Sequence, residues 1–292
     1  MADKYLLEDG SGGYLLEDGS GYYLLDGGGF VLKPAGLHAI QCGLGKWPGL
    51  HAIEHGHVAF PSYAAVSSFA CDGVLIEDGE GIIQTSEFTD GRQITFTCFF
   101  KASTATAYLC FAGYCTVTID ESGYITVFAY EIDTAYIFQA ISAGTYHDGE
   151  WHSLLVSMDT NYSAGNKICH MIIDRAAVSP TITDEEVAFD IGLSGGNAGT
   201  GSDVSDYEIA EVTMDASYID FSVQANIDKF VTASNKPANI GTDGSTAYGF
   251  TPKIYMHIDD GEAAANFATN RGSGGDFTIT GTLSTSSTSP SD

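Results

Sequence analysis

Short runs of alternating apolar and polar residues fill the middle of the chain. The clearest is 93–100, Gln-Ile-Thr-Phe-Thr-Cys-Phe-Phe, and 107–111, 115–119, 124–130, 151–158, 167–173 and 207–214 follow the same rule. A period of two marks strands with one buried face. Turn signals separate the runs: Asp90-Gly91, Glu121-Ser122-Gly123, His147-Asp148-Gly149 and the glycine-rich stretch 192–201. Many short strands with no helical period between them predict an all-β, antiparallel sandwich over residues 63–233. One short helix is expected within 218–233, where 225–231 carries mixed helical spacing.

The first 33 residues follow another pattern. A nine-residue phrase repeats as KYLLEDGSG, GYLLEDGSG and a clipped YYLLDGGG. Its apolar heads are Tyr5-Leu6-Leu7, Tyr14-Leu15-Leu16 and Tyr23-Leu24-Leu25. Each triplet suits a very short strand, and the Asp-Gly that follows is a turn signal. Such units have no core of their own. They predict an attachment arm that borrows a partner surface, with self-association into a homo-oligomer, a trimer being favoured because intertwined copies would pair exposed strand edges.

Residues 34–62 hold a second duplication, Gly36-Leu37-His38-Ala39-Ile40 and Gly49-Leu50-His51-Ala52-Ile53, in a Gly/His-rich linker. Residues 234–292 are rich in Gly, Ser and Thr, with strand-like pieces at 253–258 and 276–283. They are expected to form a small β-rich C-terminal extension. The phrase Val74-Leu75-Ile76-Glu77-Asp78-Gly79 echoes the arm.

Composition narrows the chemistry. With 38 acidic and 11 basic residues, the formal charge of the 292-residue chain is −27. The basic residues are scattered singly, so no patch could track phosphates, and neither nucleic acid nor an anionic membrane surface is an expected partner. No apolar run is long enough to insert in a membrane. The start, Met1-Ala2-Asp3-Lys4-Tyr5, lacks the basic-then-apolar form of a secretory signal.

Candidate reactive groups are few. Six cysteines occur, with no CxxC pair. Cys98 shares a strand face with Ile94, Phe96 and Phe100 and is expected as a buried thiol in the core. Cys110 and Cys115 flank a hairpin-like loop, and their spacing leaves paired and free states both open. His51, His55 and His57 form the most ligand-like cluster, although Glu54 is misplaced for the HExxH signature. Glu208 and Glu211 are the nearest thing to a hydrolase pair, but an odd offset puts them on opposite strand faces. Asp184-Glu185-Glu186 offers no same-face partner either, so no enzyme activity is expected.

The run Tyr146-His147-Asp148-Gly149-Glu150-Trp151-His152-Ser153-Leu154-Leu155-Val156 resembles a hallmark of laminin G-like, concanavalin A-like jelly rolls. The strand ending at Asp174, the segment Asp190-Ile191-Gly192 and the strand around Glu211-Val212 follow in the family's order. The resemblance covers about 65–230. It implies a jelly roll in which Trp151 is a large core anchor, and calcium at the sheet rim, with Asp120, Asp159 or Asp174 as candidate ligands. The repeat leader and the tail around 242–246 and 266–281 are similar to the ends of virion proteins of tailed bacteriophages. That resemblance implies a virion surface protein, in head decoration, fibre, collar or tail, assembled in the host cytoplasm beside other virion proteins. Its jelly roll would bind host surface polysaccharide. The alternatives are a structural cement without glycan binding and a polysaccharide depolymerase.

Overall fold

The structure, a computed structural model, describes residues 69–103, 106–130, 138–161, 167–184, 188–194, 196–202 and 206–292, and four short strands near the start of the chain. The chain divides into two units, Met1–Ala64 and Ala65–Asp292.

In the first unit β1 (Leu7–Glu8), β2 (Gly13–Leu15), β3 (Tyr22–Asp26) and β4 (Gly29–Val31) form an antiparallel sheet in chain order. Leu7 pairs with Leu15, Tyr14 with Tyr23 and Leu24 with Val31. The repeats therefore satisfy one another's backbone groups within a single chain. Within the chain β2 and β3 have both edges occupied by their own neighbours, whereas β1 and β4 each keep one edge unpaired in this sheet. Tyr5, Leu6 and Leu16, like Cys42 and the histidines 51, 55 and 57, lie outside the described residues.

The strands of the second unit are β5 (Val74–Ile76), β6 (Gly81–Thr85), β7 (Gln93–Ala102), β8 (Ala107–Ala112), β9 (Cys115–Ile119), β10 (Tyr124–Ala129), β11 (Phe138–Thr145), β12 (His152–Asp159), β13 (Ile168–Ile173), β14 (Ala176–Val178), β15 (Thr181–Asp184), β16 (Asn197–Ser202), β17 (Tyr207–Asp215), β18 (Ile254–Met256), β19 (Thr278–Thr280) and β20 (Ser284–Thr285). One antiparallel sheet runs β15-β11-β10-β9-β8-β16-β6-β19. The other runs β14-β13-β12-β7-β17-β5-β20, with β18 also paired to β17. The inward faces meet in one core, to which β7 gives Ile94, Phe96, Cys98 and Phe100 and the facing sheet gives Leu109, Val117 and Val127. Cys98 is buried there, on the face the alternation assigned to it. Cys71, Cys98, Cys110, Cys115 and Cys169 are free thiols, and the β8–β9 register sets Ala112 rather than Cys110 opposite Cys115.

The two sheets differ in what lies outside them. The β7-containing sheet carries a second apolar layer: Phe99, Leu155, Ile172 and Ala210 meet Phe221, Phe230, Ile240 and Tyr255. Two single-turn helices, α1 (Gln224–Ile227) and α2 (Ser245–Tyr248), belong to that layer. Every position of β12 is consequently buried. We call this the covered sheet and its partner the open sheet.

Residues 234–292 are not an appendage. β18, β19 and β20 add to both sheets, and Met256, Ile258, Phe267 and Phe277 enter the main core. Gly and Ser/Thr content suited short strands and turns, but the apolar residues between them were too sparse to announce a core contribution from sequence alone.

Trp151 also sits elsewhere than the family resemblance implied. It is half-buried beside the outer layer, outside the core between the sheets. Its indole packs on Gly73, where an added Cβ would stand 2.6 Å from the ring. Its Nε1–H donates to Thr288 Oγ1 at 3.0 Å. Trp151 thus fastens the C-terminal segment to the sheet.

Next to it, His152 forms a clamp. Its ring nitrogens lie 2.7 Å from Asp174 Oδ2 and 3.0 Å from Asp148 Oδ1. Asp174 Oδ1 accepts from the Ser153 N–H and from Asn235 Nδ2. Burial disfavours charge on His152, but the bonds to Asp174 and Asp148 outweigh it and raise its pKa. Burial also opposes ionisation of Asp174, yet the bonds from His152 and Asn235 hold its pKa below the ordinary value.

Two outcomes follow from these contacts. Trp151→Ala should cost about 1–3 kcal/mol, rather than the roughly 3–5 kcal/mol of a fully buried aromatic, and should speed hydrogen exchange over 284–292. Chemical denaturation paired with exchange measurements checks both. The raised His152 pKa gives stability that is complete below about pH 6.5, its ordinary value, and is lost as pH climbs through the folded pKa. The lowered Asp174 pKa gives stability present above about pH 3.9 and lost as pH falls through the folded pKa. Asp174→Asn should therefore cost most, about 1–3 kcal/mol, between those limits, and denaturation midpoints across pH should show the gap closing on either side.

Candidate functional site

The outer face of the open sheet carries a groove of about 490 Å³. It lies across three strands, between β8 and β6 with β16 as its floor. Register fixes what lines it. Tyr108, Gly201, Gly81 and Thr280 are successive cross-strand partners on β8, β16, β6 and β19. Phe111, Gly199, Ile83 and Thr278 form the next row. Cross-strand partners present their side chains to one face, so the first row reads aromatic, bare, bare, polar and the second aromatic, bare, aliphatic, polar. Two strand spacings make the bare floor roughly 9.5 Å wide.

The aromatic wall depends on a bulge. Tyr108 and Phe111 are three apart, an offset that would put them on opposite faces of a regular strand. The ladders of β8 with both neighbours shift register here, between Tyr108 and Cys110 and between Gly199 and Gly201. Leu109 and Cys110 both turn inward, and Tyr108 and Phe111 both turn out. Thr200 and the buried Tyr207 brace the bulge from beneath, donating to the Tyr108 carbonyl at 3.0 and 3.3 Å. Tyr108 and Phe111 meet edge to face with ring centres 6.1 Å apart, a favoured aromatic arrangement.

The floor glycines differ in what they require. Gly199 has φ +149°, and a Cβ there would lie 2.0 Å from the Ile82 carbonyl oxygen, so its backbone demands glycine. Gly201 has no left-handed φ, and a Cβ there would approach nothing closer than 3.4 Å. Glycine inside a strand costs stability and marks places where another molecule comes close to the backbone. At the rim, the Glu80 carboxylate accepts the backbone N–H groups of Thr282 at 2.6 Å and Glu77 at 3.0 Å. Asn197 and Thr116 add an amide and a hydroxyl to the lining.

The sequence does not announce this site: 192–201 reads as turn, whereas 197–202 is strand β16, and strict alternation conceals the outward pair Tyr108 and Phe111. The candidate residues legible in sequence have partners of their own. Glu208 and Glu211 are not on opposite faces, because a second bulge in β17, with Glu211 at φ +51°, sends both Ile209 and Val212 inward and Glu211 toward Tyr255 in the outer layer. Glu208 pairs with Lys101 at 3.2 Å and Glu211 with His257. The calcium candidates do not converge. Asp120 accepts from the Ser122 and Tyr124 N–H groups, Asp159 from Gln93 and Asn161, and Asp174 belongs to the His152 clamp. Trp151 lines a second cavity of about 520 Å³ with Lys101, Lys236 and Thr288. There Lys101 contacts Glu208 and Thr288, and Lys236 donates to the Ser291 carbonyl, so the polar groups serve one another.

No protein-family model matches the chain. No curated protein matches it either. Among solved structures, it is similar to a candidate carbohydrate-binding protein from Bacteroides ovatus, with 11% identity over 75% of this chain and 61% of that one and a TM-score of 0.50. The present chain thus spans less than two thirds of that neighbour. It is also similar to a heptameric SAP-like pentraxin from Limulus polyphemus, at 9% identity over 73% of this chain and 94% of that one, with a TM-score of 0.44. At such identities the likeness concerns the fold: the second unit is an all-β sandwich of two antiparallel sheets, of concanavalin A-like type.

Proposed function

We propose that the sandwich is a glycan-binding module and that the groove on the open sheet holds the sugar. A pyranose has a face of C–H groups and a rim of hydroxyls. Tyr108 and Phe111 offer the matching apolar wall, and Asn197, Thr116 and Thr280 offer donors and acceptors at the rim. Clefts of this size with a few placed polar groups are the usual form of a small-ligand site. The observation that carries the reading is Gly201, a bare strand position that the backbone conformation does not demand. The neighbour from Bacteroides ovatus is itself described as a candidate carbohydrate-binding protein, which accords with this reading.

The reading is one of binding without turnover, because Glu208 and Glu211 are neutralised by Lys101 and His257 and neither lines the groove. For its setting we infer the surface of a bacteriophage particle, on the resemblance of the repeat leader and of the tail to virion proteins. The first unit would attach the chain and the sandwich would face outward.

Gly201→Val supplies a β-branched side chain suited to a strand and fills the floor. Its unfolding midpoint should stay at or above the parent's, while calorimetric affinity for a glycan found by array screening should fall at least about tenfold, some 1.4 kcal/mol. Tyr108→Ala should weaken the same ligand. Unchanged affinity in both variants would reject the groove. Deleting residues 1–33 should leave the sandwich folded and its glycan affinity intact but keep it off particles. Normal incorporation in a particle-assembly assay would remove the attachment role.

A further inference from the structure

We infer that the groove selects neutral sugars and rejects acidic ones; this rests on the glycan reading above and names its substrate class. Charge at the groove is one-sided. Glu80 is its only ionisable carboxylate or cation among the lining residues. Both oxygens of Glu80 are held by backbone N–H groups, which keeps the carboxylate at the rim instead of letting it swing away. Behind it, the turn between β5 and β6 carries Glu77 and Asp78, and the Asp78 N–H donates to Asp206 at 3.1 Å, which brings a further carboxylate to the same edge.

Among the described residues no cation lines the groove to offset them. Lys101 lies against Glu208, Lys253 against Glu87 at 3.4 Å, and Arg271 against Asp259 and Glu262, all away from the groove lining. The whole chain points the same way, with a formal charge of −27. A uronate or sialate seated on Tyr108 would bring its carboxylate toward fixed like charge with no cation among the lining residues, and the screening length of about 8 Å at physiological salt only partly damps repulsion across one groove. Unpaired like charge built against a competitor is a recognised source of specificity. A neutral ring meets no such repulsion, and its hydroxyls can donate to Glu80, whose carboxylate is part of the groove lining.

The experiment uses the full chain on an array of polysaccharides bearing uronates or sialates, each beside its carboxyl-reduced neutral counterpart, with neutral polymers included. Affinity is then measured at 0.05 and 0.15 M salt for wild type, Gly201→Val, Glu80→Gln and Asp206→Asn. The expected result is that reduction of the carboxyl groups strengthens binding at least about tenfold at 0.15 M salt, and more at the lower salt. Glu80→Gln and Asp206→Asn should each narrow that ratio, and Asp206, outside the groove lining, guards against a loss caused by a disturbed turn at Glu80. Acidic members that bind as well as their reduced counterparts, and lose binding in Gly201→Val, would overturn the charge selection while leaving the groove as the glycan site. Binding that ignores Gly201→Val, or an array with no bound member, would overturn the groove reading and this inference with it.

Discussion

The covered side of the molecule depends on one buried carboxylate. Glu211 sits in the middle of β17, 5% exposed, and a carboxylate out of water needs partners at once. Tyr255 donates to it at 3.1 Å and His257 bonds its other oxygen. Burial alone would keep His257 neutral, but the bonds to Glu211 and then Asp259 raise its pKa, and Arg271 carries the chain of charges to Glu262 at the surface. The bulge that aims Glu211 outward is also where the edge of β17 changes neighbour. Residues 207–209 pair with β5 and 212–214 with β18. Two short strands share one long edge there, and the carboxylate between them binds Tyr255 of the second and His257 just beyond it. Residues 254–271 are tied to the sandwich by that arrangement, and Cys71, whose thiol burial holds well above the ordinary range, packs into the same junction.

The covering of one sheet gives the other its freedom. A strand buried on both faces has no surface left for recognition, and β12 is such a strand. The layer of α1, α2 and Tyr255 covers that sheet, so under the proposed glycan reading recognition would fall to the outer face of the open sheet. There the bulge in β8 serves display as the bulge in β17 serves burial. In each case one extra residue re-aims a side chain that regular pleating would have sent the other way.

These two bulges also mark the limit of what the sequence reveals. The regular strands β7, β9, β10 and β12 were legible because alternation survives where pairing is regular, and the sandwich class followed from them. The Asp-Gly turn before Trp151 was legible as a motif, although the indole fastens the C-terminal segment instead of filling the core. What sequence concealed lies where period two breaks. Glu208 and Glu211, and likewise Tyr108 and Phe111, differ by an odd offset, and their shared faces depend on register shifts set by neighbouring strands. Gly199 and Gly201 read as loop because glycine in a strand is locally unfavourable, and only the rows they complete between β8 and β6 explain them. Residues 234–292 failed for another reason. Their apolar residues are spaced singly, and each finds its place only through a partner far away in the chain.

A groove floored by backbone and walled by two rings offers a ligand few directional bonds, so a single copy should grip a sugar weakly. Weak sites become effective when copies are held together, since the second contact is then paid for by effective concentration rather than by new interactions. The repeats of the first unit fit that logic. Their strands pair with one another within one chain, so the unit would serve as an anchor built on its own sheet. Anchoring many copies on one surface would multiply the reach of a shallow site, while the acidic charge of each copy limits contact between neighbours. In the proposed arrangement the arm would set avidity and the groove would set which sugar is held, and neither task would require the chemistry of the other.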